Sequence, residues 1–113
     1  MSIRISQAQA LYDFKDKLSV LAGHGRLELY AGFGGDTPQP EIGKDPIWIF
    51  LSMEPDQEEI PLRDCRKLLA AFVALETISK EVHGTASEFH SNLIHCEREI
   101  GSAMLAEKPL RIE

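Results

Sequence analysis

The residue types best suited to chemistry recur along the last predicted helix. Glu88, Asn92, His95 and Glu99 follow one another at steps of four, three and four residues, so they share one side of a helix. His95 and Glu99 lie one turn apart, which would let them chelate a metal ion or pair as a base and its orienting group. Two ligands do not complete a site, and no HExxH or ExxH pattern is present. The simpler interpretation, which the sequence favours, is a boundary histidine beside a surface glutamate.

The two cysteines are the only candidate thiol nucleophiles. Cys65 and Cys96 are far apart, lie outside any CxxC pattern, and fall on apolar helix faces, where a free cysteine behaves as a small hydrophobe. His95 precedes Cys96, but neighbours on a helix point about 100° apart and would not normally share a hydrogen bond. We therefore expect reduced, buried structural thiols and a reducing, cytoplasmic setting.

Acidic residues cluster just before the second predicted helix, at Glu54, Asp56, Glu58 and Glu59. Asp56 and Glu59 have capping-box spacing, and negative charge stabilises a helix N-terminus. The alternative to this structural role is an acidic contact surface for a partner with a basic surface.

The overall charge argues against nucleic acid as a direct partner. The net charge is −6, whereas proteins that bind a duplex neutralise phosphates with Lys and Arg. The first residues lack the apolar core of a secretory signal, and no run approaches the ~18 apolar residues that a membrane helix needs. With 113 residues, the chain has the length of a single globular domain spanning 1–113.

The first and last predicted helices also have capping-box pairs. The first begins with the pair Ser6 and Gln9 and ends at Gly23. The last begins with the pair Thr85 and Glu88, and apolar residues then recur every three or four positions.

The second predicted helix is the most apolar. Pro61 suits its first turn and Gly84 ends it. Its apolar face is wide enough to include Leu62, Ile78 and Val82, which predicts a central helix that is buried on several sides.

Two strands are predicted between the first and second helices. Residues 26–31 and 47–53 alternate in hydrophobicity. The segment 32–46 between them is rich in Gly and Pro and predicts a flexible loop; its Phe33-Gly34-Gly35-Asp36 run is read as a turn, because no helix begins there to complete a phosphate-binding loop. Residues 2–5 and 110–113 are candidates for short terminal strands. The order predicts an α+β, two-layer domain with three amphipathic helices packed on a small antiparallel sheet.

Aromatic residues on the predicted sheet suggest where contact would occur. If the helices cover one sheet face, Tyr30, Trp48 and Phe50 point to the other, where neighbouring aromatics mark an interface. Two alternatives are a stacking platform for single-stranded nucleic acid, which the acidity disfavours, and a second core face under a helix or the long loop. Together with Phe33 and the acidic cluster, these aromatics form the predicted contact surface.

The sequence therefore favours a small acidic protein-binding module over an enzyme. It would act by surface contact as an inhibitor, immunity or adaptor-like accessory protein of a bacterium or phage, an analogy based on size and charge. A homodimer is expected, and no cofactor or metal is. The alternative is a small metal-dependent hydrolase that uses Glu88, His95 and Glu99, with a third ligand from His24 or a loop aspartate.

Overall fold

The computed structural model describes residues 2–5, 7–41, 43–53 and 59–112. In these segments the chain is mostly helical with a small sheet, which is the α+β class that the sequence predicts. The helices are α1 (Ala8–Leu21), α2 (Ile47–Leu51), α3 (Leu62–Val82) and α4 (Glu88–Ala106), with a 3-10 turn at Leu27–Leu29. The strands are β1 (Ser2–Ile3), β2 (Glu59–Ile60) and β3 (Leu110–Ile112).

The sheet forms from the two ends of the described chain and the segment before α3. β3 is central, with β1 parallel to it on one side and β2 antiparallel on the other. Ile3, Ile60 and Leu110 are completely buried, so one face of this mixed sheet covers the core. The candidate terminal strands are confirmed, at Ser2–Ile3 and Leu110–Ile112.

The predicted antiparallel pair over 26–31 and 47–53 is wrong. The first segment is a 3-10 turn and the second is α2. The start of α2 explains its conformation: the Asp45 carboxylate accepts a hydrogen bond from the Ile47 N–H at 3.1 Å, and Pro46 has a helical φ of −59°. An acidic cap followed by proline is a helix start. All five residues of α2 are buried and apolar. Because no polar residue alternates with them, the sequence of α2 shows no helical period.

Backbone hydrogen bonds connect residues at the start of the long loop. Ala31 donates to the Thr37 carbonyl at 2.8 Å, and Thr37 donates to the Leu29 carbonyl at 3.0 Å. Gly35 fits only because it lacks a side chain, since a Cβ there would lie 2.2 Å from the Leu29 carbonyl carbon. Flexibility of residues 32–46 stays a prediction.

The three long helices begin and end close to their predicted boundaries. Gln7 is the N-cap of α1 and Pro61 that of α3, whereas Ser6 lies outside the described residues. The cap of α4 differs: Ser87, not Thr85, accepts a hydrogen bond from the His90 N–H, at 3.1 Å. Ser87 therefore satisfies a backbone donor that the first turn of a helix leaves free.

Four phenylalanine rings, one from each of the helices α1 to α4, pack together in the core. The Phe50 ring of α2 meets Phe14 of α1 edge-on at 5.9 Å and Phe72 of α3 edge-on at 5.5 Å. Phe14 also lies 5.3 Å from Phe89 of α4. α2 thus stands where the helices converge, and its burial fixes how α1 and α3 face one another.

Candidate interaction surface

The three aromatics of the predicted contact face lie in the core. The exposed fractions of Tyr30, Trp48 and Phe50 are 9%, 1% and 0%. The expectation that they form an exposed sheet face is wrong, because the sheet it required is replaced by a buried helix. Trp48 instead packs edge-on against Tyr30 and His24, at 5.0 and 5.4 Å between ring centroids.

A polar cluster beside Trp48 attaches the end of the loop to the end of α1. His24 Nε2 lies 2.6 Å from Asp45 Oδ2, and the Tyr30 hydroxyl donates to the His24 carbonyl at 2.6 Å. The second Asp45 oxygen caps α2. One Asp45 oxygen thus contacts the His24 ring and the other accepts from the backbone of α2. The pair of His24 and Asp45 therefore holds these segments in position.

The remaining residues of the predicted contact surface are scattered. Phe33 is half-buried, with its ring 6.5 Å from that of Tyr12. Glu59 is exposed on β2 and pairs with Arg111 of β3 at 2.7 Å, which is a cross-strand role. Glu54, Asp56 and Glu58 lie outside the described residues.

The polar stripe on α4 is divided between two surroundings. Glu88 and Asn92 line a small groove against α1, whereas His95 Nε2 accepts a hydrogen bond from the Arg4 N–H, 3.1 Å away, just after β1. Glu99 is half-buried farther along the helix. Across the described segments, no three His, Cys, Asp or Glu residues are grouped so that they could hold a metal ion.

Both cysteines are free and buried. Burial raises the pKa of each thiol, strongly for Cys96, and neighbouring carboxylates raise it further: Asp64 beside Cys65, and Glu97 with Glu99 beside Cys96. A nucleophilic thiol needs the opposite shift. The two thiols are therefore protonated core groups at neutral pH.

A carboxyl group between α3 and α4 is also perturbed. Burial raises the pKa of Glu97, and the charge of Glu76 together with a hydrogen bond to it raises the pKa further, while Lys80 opposes the change. One Glu97 oxygen is buried without a hydrogen-bond partner among the described residues. Protonation would relieve this repulsion, so the pair links stability to pH.

Sequence reasoning missed the feature that stands out most on the surface, which is the solvent side of α3. Cys65, Leu68, Phe72, Leu75 and Ser79 face the core, and the opposite side of the same helix is exposed along its length. We call this side the outer face of α3. It consists of Leu62, Arg63, Arg66, Lys67, Ala70, Val73, Ala74, Thr77, Ile78, Lys80 and Glu81.

The outer face carries apolar surface between charged ends. Val73 is 51% exposed and Ile78 42% exposed, while the neighbouring positions Ala70 and Ala74 are small and exposed as well. Arg63, together with the two basic residues of the next turn, precedes this stretch, and Lys80 and Glu81 follow it. An apolar centre with a charged border is the usual anatomy of a protein contact surface.

Two grooves lie where α3 meets α1 and the residues that follow α1. One, of about 370 Å³, runs between Ala22, Pro46 and Ala74. The other, of about 450 Å³, is lined by Val20 of α1 and Val82 of α3, whose side chains are 51% and 64% exposed.

The wide apolar face of α3 is a sequence pattern that leads to a wrong prediction. Leu62, Ile78 and Val82 were expected in the core because they widen the apolar face, yet all three are exposed. A helix that contacts neighbours on one side only can bury about half of its circumference. The excess width of the apolar face therefore corresponds to solvent-exposed apolar residues rather than to deeper burial.

Comparison of the chain with protein-family models, with curated proteins and with solved structures gives no match. None of the helices in the described part of the chain combines the length and the apolar character that crossing a bilayer demands. Evidence for function therefore comes from the surface itself.

Proposed function

We propose that this protein is a protein-binding module that acts by surface contact, and that the outer face of α3 is its contact surface. The observation that carries the proposal is the concentration of exposed apolar side chains on α3: four of the seven large hydrophobic residues that are exposed in the described chain belong to this helix, and three of them, Leu62, Val73 and Ile78, lie on its outer face.

The chemistry of the surface supports a protein partner. Val73 and Ile78 offer aliphatic contact area, which gains free energy when water leaves it. Three basic residues stand at one end of the face and Glu81 beside Lys80 at the other, and this uneven charge favours a partner with a defined orientation. A net charge of −6 opposes approach to phosphate backbones, so nucleic acid is the poorer candidate. Inhibitor, immunity or adaptor roles fit such a module.

Affinity capture with matched variants tests the proposal. Ala74→Arg places a long cation at the centre of the outer face, on an exposed helical position where it leaves the core untouched. Ala8→Arg makes the same change at the exposed first residue of α1. Each tagged variant would be expressed in the native host beside an untagged natural copy, and proteins that co-purify would be quantified.

The expected result is that proteins retained by the natural chain are also retained by Ala8→Arg and are lost from Ala74→Arg, because a buried unpaired charge opposes association. Thermal melting of the purified variants should be alike, which separates lost contact from lost folding. If Ala74→Arg retains the same proteins in the same amounts as Ala8→Arg, the outer face of α3 is not the contact surface.

A further inference from the structure

We infer that the partner at the outer face of α3 is a second copy of this chain, packed through an antiparallel α3–α3 contact about a two-fold axis. This inference depends on the proposed function, since it names the occupant of the same surface. It follows from the order of charges along the outer face of α3. The basic residues at one end can meet the acidic residue at the other end only when two copies of the helix run antiparallel.

Helix geometry fixes which residues would meet. Ala70 and Thr77 lie within about 20° of each other near the middle of the outer face, at 100° per residue. When two copies of α3 run antiparallel with these two residues opposite one another, the two-fold axis passes between residues 73 and 74, so Val73 of one copy lies beside Val73 of the other. Small residues at the centre let helix axes approach to about 8 Å, and the valines and Ile78 then cover the sides of the contact.

The same register brings opposite charges together at both ends. Arg66 falls opposite Glu81 of the second copy, and Arg63 lies about one turn farther along the same side. Because the axis is two-fold, each contact occurs twice. Neither Arg66 nor Glu81 has an ion-pair partner in its own copy within the described residues, so both are available for pairing between copies.

Lys67 and Lys80, two like charges in this register, are kept apart. They are at equal heights on the two copies, yet they are separated by about 140° around the helix, so they lie on opposite borders of the contact. Lys80 of one copy does share a border with Arg66 of the other, where solvent screens the repulsion, while Glu81 lies within reach of both Arg66 and Arg63. A parallel arrangement would instead place Arg66 beside Arg66 and Glu81 beside Glu81, which costs free energy at both ends.

Cysteine cross-linking tests the register directly. In chains carrying only Ala70→Cys, the two new thiols would be about 10 Å apart along the axis, beyond the ~7 Å between Cα atoms that a disulfide tolerates. The same holds for Thr77→Cys alone. In a mixture of the two variants, the new thiol of one chain lies opposite the new thiol of the other. We expect mild oxidation to give disulfide dimers chiefly in the mixture, while the natural chain, whose thiols are both buried, remains uncross-linked.

Charge reversal tests the ion pairs by sedimentation equilibrium. We expect the natural chain to dimerise with a dissociation constant on the order of 1–100 µM, as small interfaces do. Arg66→Glu and Glu81→Arg should each weaken the dimer about tenfold or more, because each creates two like-charge contacts. The double variant exchanges both charges and should recover an affinity close to that of the natural chain.

These outcomes separate the two proposals. A natural chain that sediments as a monomer up to about 500 µM, or cross-linking that is as strong in each single variant as in the mixture, overturns the two-fold α3 contact. Failure of the double variant to recover affinity also overturns the register. In each case, the affinity capture would still support the outer face as a contact surface if Ala74→Arg no longer retained some protein other than this chain.

Discussion

Replacing Phe50 by alanine tests whether the aromatics of residues 30–50 hold the fold together or serve as contact residues. The Phe50 side chain is fully buried and meets Phe14 and Phe72 edge-on. Phe50→Ala removes this apolar surface and leaves a cavity among helices that cannot close fully, which costs about 3–5 kcal/mol. A domain of this size is stable by about 5–15 kcal/mol, so the variant should fold while being much less stable.

Urea unfolding followed by the fluorescence of Trp48, the one tryptophan in the chain, measures this cost. With a slope of about 1–1.5 kcal/mol per molar urea, a loss of about 4 kcal/mol lowers the midpoint by about 3 M. The control is Leu105→Ala, because that side chain is 90% exposed on α4 and should change stability by less than about 0.5 kcal/mol. Equal midpoints for the two variants would refute the placement of α2 in the core.

Three further predictions concern α4 and the thiols. Ser87→Ala removes the cap of α4 and should lower the free energy of unfolding by about 1 kcal/mol, whereas Ser91→Ala, at an exposed position, should leave the urea midpoint unchanged. Burial raises the pKa of Glu97 above its ordinary value of 4.5. The protonated carboxyl therefore contributes fully to the free energy of unfolding below pH 4.5, and this contribution is lost as the pH rises through the raised pKa. Glu97→Gln should therefore be more stable than the natural chain at neutral pH and no more stable below pH 4.5; the reverse order in pH-dependent unfolding would contradict this sign. Cys65 and Cys96 should react with a thiol reagent only when the protein is unfolded, and labelling of either thiol in the native protein at the unfolded rate would show that it is accessible.

The long helices were predictable because each has a polar side and a marked end. α1 and α4 alternate between buried and exposed positions at helical spacing, and glycine or proline stands near their boundaries. α2 was not predictable from periodicity because all of its residues are buried. A run of five apolar residues fits a strand and a buried helix equally well, and only Asp45 followed by Pro46 distinguishes the two.

The contact surface was misplaced as a consequence of that one error. A strand over 47–53 makes Trp48 and Phe50 point away from Ile49, and this alternation predicts an exposed aromatic face. In a short helix at the centre of the core, successive residues point in different directions and all meet neighbours. The exposed side of α3 was hidden for a related reason: the sequence shows that Ile78 and Val82 are apolar, but only tertiary packing decides which apolar residues the core has room for.

A dilution series of ¹⁵N–¹H spectra tests most directly whether the outer face of α3 is where this protein contacts a second copy of itself. Amide shifts of Arg66, Ala70, Ala74 and Thr77 should change with protein concentration across the range on the order of 1–100 µM in which small interfaces dissociate, while Arg98, exposed on α4, keeps its shift. Shifts that change on α4 or the sheet but not on α3, or a spectrum that stays constant across the series, would contradict the account.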